Sequence, residues 1–190
     1  MTASEYILAS ASPRRAELMR AHGLRFRTVP AEVDETLPTD TDGPDAVMYL
    51  SLKKALWVES RYPEFAGRRI IAADTVVCTG RILGKPSDIG EAREMITELR
   101  GAVHHVYTGV TLLIAGEPRR RCFCEGTKVF VRDISDTAVE AYIRTQEPYD
   151  KAGGYAIQGI FGKYIDHIEG DFENVVGLPC RRMLQELALL

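Results

Sequence analysis

Ser10-Ala11-Ser12-Pro13-Arg14-Arg15 follows directly on the apolar run Ile7-Leu8-Ala9. Ser12 suits a helix N-cap, and Pro13 suits the first helical position, where no backbone donor is needed. Hydroxyls, free helical N–H groups and two guanidiniums therefore gather where a strand turns into a helix. Such a cluster is a preformed anion site, best matched to phosphate. The competing reading is a capped surface helix with two solvated arginines.

Other polar residues stand where the pattern asks for apolar ones. Asp74 lies inside Ile70-Ile71-Ala72-Ala73-Asp74-Thr75-Val76-Val77, a run that reads as a strand covered on both faces. A carboxylate there is costly unless paired, hydrogen-bonded or metal-bound, which makes it a candidate general base or metal ligand. Otherwise it caps a turn or pairs with a structural arginine. Lys54 falls within the apolar stripe of Val47, Leu50, Trp57 and Val58, whereas Lys53 points elsewhere. It either meets an anion or snorkels to an edge.

Gly84-Lys85-Pro86 reads as a tight loop, and Pro86 holds Lys85 extended. It is not a Walker A loop, because the glycine spacing is short and no Ser or Thr follows Lys85. Glu32-Val33-Asp34-Glu35 offers oxygens to a hard cation, or is a solvated acidic loop. In Asp150-Lys151-Ala152-Gly153-Gly154-Tyr155-Ala156-Ile157-Gln158-Gly159, paired glycines allow close backbone approach, Tyr155 could stack, and Gln158 suits a base edge. The simpler alternative is a glycine turn entering a strand. His22, His104, His105 and His167 show no metal-ligand spacing, and His104-His105 reads as a strand pair with one ring in and one out. Cys78, Cys122, Cys124 and Cys180 contain no C-x-x-C and read as reduced thiols of a cytosolic, hence cytoplasmic, protein.

The elements that must position these groups alternate between strand and helix, which predicts an α/β architecture. Strands are expected at 6–9, 26–29, 69–78, 103–114 and 121–131, with a further one within 161–168. Helices are expected at 13–21, 44–59, 88–99, 135–145 and 179–189, and an acidic loop at 31–42. With 190 residues and no linker composition, the whole chain, 1–190, reads as a single domain. The net charge of -3 gives no field for wrapping extended nucleic acid, so anion binding must be local. No apolar run approaches the roughly 20 residues of a membrane helix. The polar start Met1–Tyr6, with Glu5, reads as no signal peptide. Leu184, Leu187 and Leu190 on the last helix serve either a core or an interface.

Taken in order, the quoted segments, together with Lys54-Ala55, Tyr107-Thr108-Gly109-Val110 and Asn174-Val175-Val176-Gly177-Leu178-Pro179, resemble the Maf family of nucleoside triphosphate pyrophosphatases. The resemblance implies an elongated central mixed sheet flanked by helices, with two lobes around a nucleotide-binding cleft, as in Maf and ITPase-like folds. It implies hydrolysis of a nucleoside triphosphate to the monophosphate and pyrophosphate, a divalent cation (Mg²⁺ or Mn²⁺) and a homodimer. It also implies a role in excluding non-standard nucleotides and a link to cell-division arrest. Arg14, Thr75 and Gln158 match the positions that mark the dTTP/UTP subgroup, which favours a pyrimidine substrate. On this reading Asp74 is the proton acceptor and, with Glu35, a metal ligand. Ser10, Arg14, Arg15, Lys54 and Lys85 hold the phosphates, Gln158 reads the base and Thr75 shapes its pocket. Three readings compete with it: a regulatory module that binds nucleotide without turnover, a pyrophosphatase acting on damaged purines, and an α/β domain with no site, which must treat Asp74, Lys54 and Arg14-Arg15 as separate accidents. Asp74 set beside lysines and arginines fits catalysis better than passive binding.

Overall fold

Seven strands form one mixed sheet in a computed structural model that describes residues 6–190. The expected lack of a signal peptide concerns residues 1–5, which lie outside the described residues. β1 (Tyr6–Leu8) pairs in parallel with both β2 (Phe26–Thr28) and β3 (Arg69–Cys78). β3 continues antiparallel to β5 (Val103–Ile114), then β6 (Arg120–Val131), then β7 (Ile165–Glu169). The two-residue β4 (Ile82–Leu83) folds back on the end of β3.

The alternation of β3 decides what its residues meet. Ile70 and Ala72 pack into the core under α2 (Gly43–Arg61), whereas Ile71 and Ala73 pack towards α1 (Pro13–Ala21) and α6 (Cys180–Ala188). With a side-chain period of two, Asp74 shares the α2 face with Ile70 and Ala72, and Thr75 takes the α1 face. α2 can lie low on the sheet because Gly109 has no side chain: a Cβ there would sit 2.3 Å from the Val47 carbonyl. A third core lies under α3 (Ile89–Leu99) and α4 (Asp136–Ile143).

Helix boundaries follow the caps. Ser12, Asp42, Asp88 and Ser135 each accept the N–H three residues on. Differences from expectation cluster after residue 145. No strand directly follows the glycines: three short 3₁₀ turns, 148–150, 152–154 and 160–164, flank an irregular stretch and turn over 155–159. The strand expected within 161–168 starts only at Ile165. A short α5 (Phe172–Val176), capped by Asp171, is absent from the periodicity, which five residues cannot display. Leu187 is buried in the core beside α1, and Leu184 and Leu190 pack against that core. No helix among the described residues is long and apolar enough to cross a membrane.

Candidate active site

A cleft of about 650 Å³ opens over the ends of β1 and β3. The nine residues to which the resemblance assigns a role all line it: Ser10, Arg14, Arg15, Glu35, Lys54, Asp74, Thr75, Lys85 and Gln158. Glu32 and Asp34 of the acidic segment do not. The lining residues run from Ala9 to Gly177.

Asp74 is 8% exposed at the cleft floor, and Oδ1 lies 2.5 Å from Lys54 Nζ. The same ammonium is 2.7 Å from Glu35 Oε1. Lys54 therefore meets anions instead of snorkelling: it is buried, and two carboxylates converge on it. Burial pushes the Glu35 carboxyl up, but the hydrogen bond and charge of Lys54, aided by Lys85 and Arg15, outweigh this and hold it below its ordinary value. Lys53 turns away and donates to the Asp34 carbonyl.

Adjacent arginines divide their work. Arg15 Nε donates to the Gly177 carbonyl at 2.8 Å, Nη1 to Ser10 Oγ at 3.2 Å and Nη2 to Thr75 Oγ1 at 3.0 Å. Burial lowers the Arg15 pKa, opposed by the charge of Asp74. A guanidinium carries five N–H donors, so two remain beyond these three contacts. Thr108 Oγ1 donates to the Asn174 carbonyl, so the hydroxyl of Thr75, 2.9 Å away, donates to Thr108. A relay thus runs from Arg15 through Thr75 and Thr108 to α5. Arg14 lies across the cleft from the 150–159 segment. Its charge assists the Lys151 hydrogen bond, the largest influence, in holding the Asp150 carboxyl low.

That segment is set by close packing. A Cβ on Gly153 would come within 2.8 Å of Val77 on β3, and the Gly153 N–H reaches the carbonyl of Gly84, next to Lys85. The Tyr155 ring is buried with Phe161, and its hydroxyl shares a 2.6 Å hydrogen bond with His104 Nε2, so it is a core ring and not one free to stack. His104 is fully buried and His105 partly exposed, one in and one out as expected. Gln158 is exposed at the cleft edge.

Sequence reasoning missed the residue that holds this loop. Glu147 accepts the backbone N–H groups of Ile160 and Phe161 and the hydroxyl of Tyr142. Nothing in a Glu before a proline signals this. Glu147→Ala is expected to lower stability by about 1–3 kcal/mol, because the Ile160 and Phe161 amides lose their acceptor, whereas the Tyr142 hydroxyl keeps the Gly154 carbonyl at 2.9 Å. Hydrogen exchange should speed up at Ile160 and Phe161 first, and unchanged protection there would count against the anchor. The Gly177 carbonyl and Thr108 hydroxyl were also missed as site groups. Cys78, Cys124 and Cys180 are not activated nucleophiles, since burial pushes their thiols up to about 11, 11 and 12.

The arrangement offers a buried carboxylate, paired acidic oxygens around a cation, and a ring of basic groups. Its basic groups suit a polyanion, with a carboxylate at the floor placed to take up a proton. Residues 5–190 match the family described as Maf-like protein. The dTTP/UTP pyrophosphatase of Syntrophus aciditrophicus (strain SB) is 42% identical over 188 residues, covering 98% of this chain and 90% of the relative. That of Desulfitobacterium hafniense (strain Y51) is 44% identical over 187 residues, covering 96% and 84%. That of Bacillus cytotoxicus is 42% identical over 184 residues, covering 96% and 94%. The Staphylococcus aureus Ham1 protein structure aligns with a TM-score of 0.44 at 11% identity over 85% of this chain and 80% of that one, too loosely to carry an argument. The ordered motifs, the cleft they line and these full-length matches agree that the chain belongs to the family of Maf-like proteins.

Proposed function

We propose that this chain is a nucleoside triphosphate pyrophosphatase that hydrolyses dTTP and UTP to the monophosphate and pyrophosphate. The observation that carries the reading is Asp74, a buried carboxylate at the floor of a basic cleft, in a chain whose full-length relatives bear that name.

Asp74 accepts the proton of the attacking water. The water oxygen bonds to the α-phosphorus, the bond from that phosphorus to the α–β bridging oxygen breaks, and pyrophosphate leaves with the electron pair. Arg14, Lys85 and the Ser10 hydroxyl hold the phosphates, with Lys54 and the two uncommitted donors of Arg15 adding charge where it develops on the leaving group. Arg15 also ties Ser10 and Thr75 to the carbonyl of Gly177, which fixes the wall that these groups share. Gln158 reads the base and Thr75 shapes its pocket.

The donor set suits a divalent cation. Asp74 and Glu35 already converge on one cationic centre, Lys54 Nζ, and both are hard oxygen donors. These two carboxylates would hold Mg²⁺ or Mn²⁺. Such an ion supplies neutralisation of triphosphate charge. The cleft draws its residues from most of the chain, which supports reading 1–190 as one functional domain. A homodimer, a cytoplasmic location and the absence of extended nucleic-acid binding belong to the same proposal.

Pyrophosphate release from UTP, dTTP, CTP and GTP, with Mg²⁺ or Mn²⁺ and with chelator, tests the reading. Metal-dependent turnover of UTP and dTTP is expected. Turnover of damaged purines alone would overturn the base assignment, and tight binding without turnover would favour a regulatory module. Gln158→Ala should narrow the preference for UTP over GTP by about 10-fold, the worth of one well-placed hydrogen bond, and leave the metal requirement intact. An unchanged ranking across the four nucleotides would remove Gln158 from base reading.

A further inference from the structure

Three side chains with no part in the proposed reaction converge at the C-terminal end of α1. His22 caps that helix, Glu173 lies in the first turn of α5 and Cys180 opens α6. One donor atom of each lies within 4.8 Å of the other two, and His22 Nε2 is 2.7 Å from Glu173 Oε1. Among the described residues this is the one group of three or more His, Cys, Asp or Glu side chains so placed. The donors run from solvent inward: His22 is exposed, Glu173 intermediate and Cys180 buried.

The chemistry of the set is selective. Imidazole, carboxylate and thiolate suit a borderline-soft ion, whereas Mg²⁺ takes oxygen donors and gains little from sulfur. Bond lengths of about 2.0–2.3 Å in a tetrahedral zinc site put neighbouring ligand atoms about 3.5 Å apart. To reach that spacing the widest pair, at most 4.8 Å apart, closes by up to about 1.3 Å, while His22 Nε2 and Glu173 Oε1, now 2.7 Å apart, open by about 0.8 Å as the ion enters between them. Its open side faces solvent, where an ion can arrive and keep one water.

We propose that His22, Glu173 and Cys180 form a binding site for a divalent cation of the zinc class, separate from the acidic oxygens in the cleft. An ion there joins α1, α5 and α6. α5 leads directly into Gly177, whose carbonyl Arg15 holds, so the ion would brace the wall of the cleft from behind without touching substrate. The proposal does not rest on the assigned reaction.

The test is cobalt titration of the metal-stripped full chain, with Zn²⁺ affinity and thermal midpoint measured in parallel. Wild type should show a thiolate-to-cobalt charge-transfer band that saturates at one equivalent, and a rise in midpoint with Zn²⁺ but not with Mg²⁺. Cys180→Ser should lose the band and the rise. His22→Ala, at an exposed position that leaves the core untouched, should weaken Zn²⁺ at least about 10–100-fold, the loss that follows when even an outer-shell partner of a metal is removed. Absence of the band from wild type overturns the proposal. So does a band that survives Cys180→Ser, which would place the thiolate at Cys78, Cys122 or Cys124, and so does unchanged affinity in His22→Ala.

Discussion

Asp74→Asn is expected to slow pyrophosphate release by about 10²–10⁴-fold, or about 3–5 kcal/mol on the barrier, while leaving the fold intact. Asn has nearly the shape of Asp and keeps an oxygen that can accept from Lys54, 2.5 Å away, so the buried ammonium is not stranded. Glu35 still neutralises it at 2.7 Å. What Asn lacks is a site for the proton of the attacking water. At saturating Mg²⁺, which offsets the weaker amide donor that Asn offers a cation, the loss should fall on kcat, with KM for the nucleotide little changed, since Arg14, Lys85 and Ser10 are untouched. Steady-state kinetics beside a thermal melt separate these effects. Near-normal kcat in a well-folded variant would remove Asp74 from the role of base.

The second large effect concerns stability in acid. His104 is fully buried, and burial, with a smaller contribution from His105, lowers its pKa from 6.5 to about 4. Between those two values the unfolded chain takes up a proton that the folded chain refuses. Stability therefore falls as pH drops from about 6.5 to about 4, and this group adds no further dependence below that. Integrated over the window, the loss is about 3 kcal/mol. His104→Phe should flatten this part of the profile. The ring still packs edge-on to Tyr155, and the hydroxyl left without its partner imposes a penalty that does not vary over this range. Urea unfolding at pH 7, 6, 5 and 4 gives the comparison. Parallel profiles for the two proteins would mean that His104 does not drive the loss.

Much of the site was legible because its residues break local rules. A carboxylate in a buried strand and a lysine in an apolar helical stripe both stand out by period, and the structure brings those two into contact. The serine–proline start of α1 was equally plain, since capping chemistry is local. What each anomaly would meet was not legible. Periodicity put Lys54 on the inner face but could not say whether an anion waited there. Nor could it divide Arg14 from Arg15, because that depends on how α1 sits against Gly177 and Thr75. Gly177 acts through its carbonyl, and a backbone group has no signature in a sequence. Glu147 does its work through backbone N–H groups 13 and 14 residues away, across turns that carry no period. The same turns explain why the strand expected near Phe161 begins only at Ile165.

The hydrogen bond from Arg15 to Gly177 spans 162 positions. During synthesis at about 5–20 residues per second, Arg15 leaves the ribosome roughly 10–30 s before the carbonyl that holds it. Through that interval the parallel pairing of β1 with β3 can form, yet the wall behind Ser10 and Thr75 has no far anchor. The Arg15 anchor is thus deferred until Gly177 has been made. Chains clipped ahead of α5 carry Asp74 and the arginines but lack the carbonyl that holds Arg15, so the two ends of the chain are joined by a contact that no fragment of this length can make.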